Sequence, residues 1–174
     1  MSDSGSMDGL ELIGDGEGFH ETLCNMIEAV PMFSELPHTD VESLAGYVRA
    51  YTAKKGTPIF KEGTKGMFMC IVISGRVDIL KEGQEREQKK VAVVRPGKSM
   101  GEMSLLDELP YSATAVAQED TQLLLLTRMN FARLEVERPL LCIAVLRQIA
   151  RLMSLRLRQT TGVLLDYLSS EKPQ

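Results

Sequence analysis

The sequence predicts a mainly β chain, a sandwich or barrel of short strands with helices at both ends. Three observations predict it. Between about Tyr47 and Leu126, short apolar runs are separated by Gly56, Gly63, Gly66, Gly75, Gly83 and Pro96-Gly97, and many short strands with regular turn signals mark such folds. Ahead of that region Leu23, Met26, Ile27 and Val30 recur at helical spacing, and after Leu126 the helical period returns. The 174 residues suffice for one core plus a helical extension.

In chain order, residues 1–18 are rich in Ser, Gly, Asp and Glu and are expected to form a flexible acidic tail. A helix from Phe19 stops at Pro31, and Phe33 and Leu36 lie in a connector. Thr39-Asp-Val-Glu42 has the form of a capping box, with Thr39 capping and Glu42 reaching back. The helix it starts buries Val41, Leu44, Ala45 and Val48. The strand candidates are Tyr47–Ala53, Pro58–Lys61, Met67–Ile73, Arg76–Leu80, Val91–Val94, Ala113–Ala117 and Thr121–Leu126. Met67–Ile73 is apolar throughout, so its period assigns nothing, although Ile71-Val72-Ile73 favours a strand. Lys81 to Lys90 reads as an exposed hairpin. A short helix around Phe131 and Leu134 is interrupted at Arg138-Pro139, and a long helix runs from Pro139 to about Leu168, with proline in its first turn. The chain thus divides into the tail (1–18), the helices and β region (19–138), and the terminal helix and its end (139–174).

Composition narrows the function classes. No apolar run approaches the roughly 18 residues that cross a bilayer, and the start carries no signal pattern, so a cytoplasmic protein is expected. Cys24, Cys70 and Cys142 are odd in number and widely spaced, which supports neither a disulfide framework nor a metal-ligand set. With only His20 and His38, a metal-dependent enzyme on a β-roll is not expected. The net charge of −4 offers nucleic acid no general attraction.

The most informative window is residues 100–114, Met-Gly-Glu-Met-Ser-Leu-Leu-Asp-Glu-Leu-Pro-Tyr-Ser-Ala-Thr. A glycine and a carboxylate open a short apolar turn (Met103, Leu105, Leu106), Pro110 closes it, and a strand-like run follows. A helix start leaves backbone N–H groups unpaired and suits an anion. Glu102 would repel an anion but accept hydrogen bonds from a sugar, and Ser112 and Thr114 add hydroxyls. Phosphate plus sugar is the ligand chemistry these pieces suit.

This window resembles the phosphate-binding cassette of cyclic-nucleotide-binding domains, found in catabolite-activator-type regulators, kinase regulatory subunits and gated channels. Gly101, Glu102, Ser112 and Ala113 match the family pattern, and Tyr111 stands where the family has arginine. The likeness extends through Gly63, Gly75, Ser74-Gly-Arg-Val77 and the approach Pro96-Gly-Lys-Ser-Met-Gly-Glu102, and covers roughly residues 33–168. It implies an eight-stranded jelly-roll-like β-roll with flanking helices. It also implies a cassette of Gly101, Glu102, Met103, Tyr111, Ser112 and Ala113, with Ile79, Met100 and Arg156 as base wall or lid.

Along the long helix, Leu146, Ala150, Met153, Leu157, Thr160 and Leu164 alternate at spacings of four and three, an a/d seam. A helix of some thirty residues is about 45 Å long, too long to lie wholly on one small domain, so a parallel homodimer is expected; the resemblance implies the same. The expected function is a stand-alone regulatory domain, not an enzyme. It binds cAMP, cGMP or a related phosphate-containing ligand, holds no resident cofactor, and signals through its terminal helix to a downstream protein. The family's DNA-binding members carry a helix-turn-helix domain after this helix. Here the chain ends six residues past Leu168, so no DNA binding by this chain is expected.

Tyr111 qualifies that expectation. In the family the cassette arginine pairs with the cyclic phosphate, and a hydrogen bond to a charged group contributes about 1.5–3 kcal/mol, or about one to two decades in affinity. Three outcomes stand open. The pocket binds weakly through backbone amides, Ser112 and Glu102; or a cation such as Arg95, Lys98 or Arg156 replaces the arginine; or Tyr111 fills the pocket and leaves a dimeric protein-interaction module.

Overall fold

The computed structural model describes residues 7, 9–14, 17–83 and 87–170. Nine strand segments are found among them: β1 (Leu10–Gly14), β2 (Val48–Ala53), β3 (Pro58–Phe60), β4 (Phe68–Ser74), β5 (Val77–Glu82), β6 (Gln88–Val94), β7 (Ser99–Met100), β8 (Thr114–Ala117) and β9 (Thr121–Thr127). They form two antiparallel sheets, ordered β1-β2-β9-β4-β7 and β3-β8-β5-β6. The helices are α1 (His20–Glu28), α2 (His38–Ala45), α3 (Glu102–Asp107), α4 (Arg128–Glu137) and α5 (Pro139–Ser170). This is the jelly-roll-like β-roll with helices at its start and a long helix at its end. No helix among the described residues is long and apolar enough to cross a membrane.

The ambiguous apolar runs are explained by burial on both faces. Successive side chains on a strand point to opposite sides of the sheet. Phe68, Cys70 and Val72 of β4 and Leu123 and Leu125 of β9 face the core between the sheets, with Ile59, Phe60, Val77 and Tyr111. Met69 and Ile71 of β4 and Leu124 and Leu126 of β9 face the other way. They join a second core made with Leu23, Ile27, Leu44, Leu134, Val145 and Ile149 of the helices. A strand buried on both sides needs no polar alternation, so its sequence shows none.

Two expectations are corrected, and a third is met. Part of the supposed flexible tail is β1, an edge strand registered against β2 from Leu10↔Ala53 to Gly14↔Ala50. Its exposed Glu11, Leu12 and Ile13 give it no burial pattern to read. Residues 1–6, 8 and 15–16 of that tail lie outside the described residues. The capping box does not form: α2 starts at His38 behind Pro37, with no side-chain cap, so Thr39 is already inside the first turn. The exposed hairpin expected at Lys81 to Lys90 is found: β5 runs to Glu82, β6 starts at Gln88, and the two pair antiparallel from Leu80↔Lys90 to Glu82↔Gln88. The strands from β2 onward number eight, within the residues the family resemblance covers; β1 is the addition.

The junction of β9 and α4 is pinned locally. Thr127 Oγ1 accepts from Asn130 N at 3.2 Å, capping α4. Asn130 Nδ2 donates to Tyr47 O at 2.8 Å, tying α4 to the start of β2. Arg138 then breaks the helical line and α5 begins at Pro139. Leu141, Cys142, Val145 and Ile149 of α5 are buried against the helical core. This packing sets the direction in which the rest of α5 passes over the roll.

Candidate ligand site

The cassette window is built as the sequence suggests, with α3 between β7 and β8. Gly101 precedes α3 at φ +80°, a conformation that glycine adopts without steric cost. A Cβ there would lie 2.9 Å from Phe68 O and 3.3 Å from the Tyr111 ring, so close approach to β4 also demands glycine. Leu105 anchors α3 in the helical core. After α3, Tyr111 N donates to Thr64 O and Gly63 N donates to Tyr111 O, both at 2.9 Å. The return of the cassette is therefore laced to the turn after β3.

Beside this segment lies a cavity of about 540 Å³ between the second sheet, α3 and α5. All nine residues expected at the cassette, base wall and lid line it: Gly101, Glu102, Met103, Tyr111, Ser112 and Ala113, together with Ile79, Met100 and Arg156. Thr114 is not among the lining residues. Its hydroxyl accepts from Glu62 N at 3.0 Å and secures the neighbouring turn instead. Of the candidate replacement cations, Arg156 and Lys98 line the cavity and Arg95 does not.

Tyr111 occupies the arginine position as a wall residue, and the cavity remains open beside it. The side chain is buried, and its hydroxyl donates to Phe68 O at 2.8 Å. The same oxygen accepts from Phe68 N at 3.1 Å and Met67 N at 3.2 Å. A phenol has one donor and two lone pairs, so its capacity is used on the start of β4. The ring stacks on Phe60 at 4.1 Å and 13°, and meets Phe68 edge-on at 6.0 Å. Burial pushes the Tyr111 pKa up to about 12, which keeps the phenol neutral.

Glu102 is the opposite case. The carboxylate is 2 % exposed. Its Oε1 accepts from the Arg156 guanidinium, which reaches down from α5 and also donates to Ser99 O. Glu102 Oε2 and Ser99 Oγ have no hydrogen-bond partner among the described residues. Burial, then the charge of Glu102, pushes the nearby Cys70 thiol well up. A buried polar atom without a partner is costly, and here the two residues that carry such atoms both line one cavity.

The expected dimer seam is divided by the structure. Leu146 and Met153 pack, half-buried, on the helical core, and Thr160 lines the cavity. Ala150, Leu157 and Leu164 are exposed. The sequence reading missed Phe60, Ser99, Leu152, Leu155 and Gln159 among the lining residues. For the three on α5 a signal existed: Leu152, Leu155, Arg156, Gln159 and Thr160 recur at i, i+3, i+4, i+7 and i+8, one face of a helix.

Comparison with known proteins agrees with this geometry. The family model described as the cyclic nucleotide-binding domain matches residues 51–137, half of the chain. The chain is 37% identical over 142 residues to the cyclic AMP receptor protein of Thermus thermophilus, covering 82% of this chain and 63% of that protein. It is 31% identical over 108 residues to a cAMP-dependent protein kinase regulatory subunit of Yarrowia lipolytica, covering 62% of this chain and 28% of that one. It thus spans less than two thirds of either relative. The crystal structure of a cyclic nucleotide-binding domain from Methylobacillus flagellatus has the same fold, with a TM-score of 0.81 at 25% identity over 95% of this chain and 93% of that one. A cassette that closes on a buried glutamate, inside a roll that recurs under that description in distant organisms, leaves one assignment: the chain belongs to the cyclic nucleotide-binding domain family.

Proposed function

We propose that the chain is a non-catalytic, cytoplasmic ligand-sensing domain whose cavity holds a ribose-bearing ligand on Glu102 and whose α5 reports occupancy. The observation that carries this reading is the unpartnered Glu102 Oε2, in a carboxylate 2 % exposed at a cavity of about 540 Å³. Such an oxygen only accepts. A sugar hydroxyl supplies the donor, and the apolar wall of Phe60, Ile79 and Met100 supplies a surface for a base. Two relatives are named for cyclic AMP, which supports a ligand of nucleotide type.

Signalling follows from Arg156. The residue that pairs with Glu102 belongs to α5, so a ligand that reaches Glu102 changes what holds the helix down. A ligand shifts a helix between two positions only by its different affinity for them, and the Arg156 contact supplies that difference. Beyond Arg156 the helix carries exposed Leu157, Leu164 and Leu168 at spacings of seven and four. This stripe supports a homodimer paired along the outer face of α5.

The test is isothermal titration and thermal shift of the whole chain with adenosine, guanosine, cAMP and cGMP. Binding by at least one is expected, weakened about ten- to hundredfold in Glu102→Ala. A ligand at 100 times its Kd stabilises by about 2.7 kcal/mol, a clear thermal shift. Silence from all four at millimolar concentration leaves the second reading, a protein-interaction module. The observation favouring that one is the commitment of the Tyr111 hydroxyl to β4, which gives the cavity no family arginine.

A further inference from the structure

We propose that the cavity selects a nucleoside, a base and ribose without phosphate, over the corresponding cyclic nucleotide. The inference rests on the ribose-on-Glu102 reading above and narrows its ligand. Three features of the lining carry it.

The first is the wall where a phosphate would need a counter-charge. Tyr111 lines it with a stacked ring, and its hydroxyl gives its proton to Phe68 O and both lone pairs to the backbone N–H groups of Met67 and Phe68, at the start of β4. Nothing is left to donate to a phosphate oxygen. Phe60 behind it adds apolar surface. An anion placed against this ring would lose hydration there and gain no partner from Tyr111 in exchange.

The second is the charge inventory. The cassette side of the cavity holds one carboxylate and one guanidinium, and they are paired with each other. A phosphate approaching Arg156 either shares the cation, leaving net negative charge beside Glu102, or takes it, leaving a buried carboxylate uncompensated. Both are unfavourable in a partly desolvated site. Lys98, the other lining cation, is exposed, where water screens its charge.

The third is what the unsatisfied atoms call for. Glu102 Oε2 requires a donor, and Ser99 Oγ accepts one or gives one. In a 3′,5′-cyclic nucleotide the 3′ and 5′ oxygens are esterified and only the 2′-hydroxyl can donate. A nucleoside offers three hydroxyls. The ligand that best completes this lining is rich in hydroxyl donors and carries no charge.

The experiment titrates the whole chain with four matched sets: adenosine, 5′-AMP and cAMP, and the guanosine, inosine and uridine equivalents. In at least one set the nucleoside is expected to bind at least about tenfold more tightly than its cyclic nucleotide, each tenfold corresponding to 1.4 kcal/mol. Its 5′-monophosphate is expected to bind more weakly too. Equal or tighter binding of the cyclic nucleotide in every set overturns the selectivity while leaving the sensor reading intact. No binding by any member overturns both. Tyr111→Arg is expected to raise cyclic-nucleotide affinity about tenfold or more with little change for the nucleoside. Since this variant is at risk of misfolding, Glu102→Gln gives a second check that leaves Tyr111 in place. It frees the Arg156 charge and weakens the ribose contact, so the nucleoside-to-cyclic-nucleotide preference should shrink about tenfold. An unchanged preference in Glu102→Gln overturns the charge argument.

Discussion

The two ends of the cassette, Glu102 and Tyr111, face one cavity and are both nearly inaccessible to solvent, yet they are opposites in polar accounting. Tyr111 has its donor and both acceptor sites matched to β4 and its ring packed on Phe60. Glu102 keeps one oxygen unmatched and hands the other to a side chain from the terminal helix. Satisfied polar groups hold a fold together, whereas a buried unsatisfied one calls for an explanation. The contrast separates the scaffold end of the cassette from its binding end, although the family resemblance alone treats both as ligand contacts.

If that separation is right, damage at the two ends should register in different measurements. The largest effect is expected from Tyr111→Ala. Loss of a buried aromatic costs about 3–5 kcal/mol, and the backbone groups of Met67 and Phe68 lose their partner as well. Urea unfolding of Tyr111→Ala measures it, and a loss below about 1 kcal/mol would show that the ring is not structural.

At the other end, Glu102→Ala should change stability by about 1 kcal/mol or less, because it removes one oxygen the fold does not satisfy and one whose partner, Arg156, is partly exposed. Ligand affinity should fall by the worth of a charged hydrogen bond, about 1.5–3 kcal/mol. Calorimetry against the tightest nucleoside decides this. A variant that unfolds readily but still binds would reverse the assignment of roles.

A smaller step isolates the hydroxyl of Tyr111. Tyr111→Phe keeps the stack and leaves two N–H groups and a carbonyl short of a partner, so a loss of about 1–3 kcal/mol is expected in the same unfolding assay. Ligand selectivity should not move. A change in nucleoside preference in this variant would mean that the hydroxyl meets the ligand after all.

The pair of Glu102 with Arg156 should couple weakly, by about 1 kcal/mol or less, because the arginine side chain is 39% exposed. A double-mutant cycle of Glu102→Gln and Arg156→Ala, read without ligand, measures that coupling. The smallest stability change is expected from Leu157→Glu on the outer face of α5, within about 0.5 kcal/mol for the isolated chain. Light scattering should nonetheless show a shift toward monomer. An unchanged mass in both proteins would remove the dimer from the proposal.

Much of the site could be read from residues alone. Gly101 announced a turn, Glu102 stood out as a carboxylate without an evident partner, and Tyr111 stood out as a departure from the family pattern. The edge strand Leu10–Gly14 left no such trace, because its alternation is lost where three of its five residues are exposed. Thr39-Asp-Val-Glu42 had the spacing of a cap, but the helix starts two residues earlier than that cap requires, at His38 behind Pro37. On α5 two stripes run side by side. Leu152, Arg156, Gln159 and Thr160 line the cavity, and Ala150, Leu157 and Leu164 face outward. A heptad count along the helix merged them into one seam, since residues on adjoining faces differ by a single position.

The amino-acid order by itself determined the strand-rich middle, the helical ends and the glycine that lets the cassette turn. These depend on local steric limits and on periods of two and 3.6 residues, which neighbouring residues carry. Only the tertiary structure decided that the Tyr111 hydroxyl belongs to β4, 43 residues earlier, and that Arg156 crosses 54 residues of sequence to meet Glu102. Hydrogen-bond satisfaction is a property of atoms brought together by packing. Whether a polar residue serves the fold or waits for a ligand is therefore settled by its distant partners.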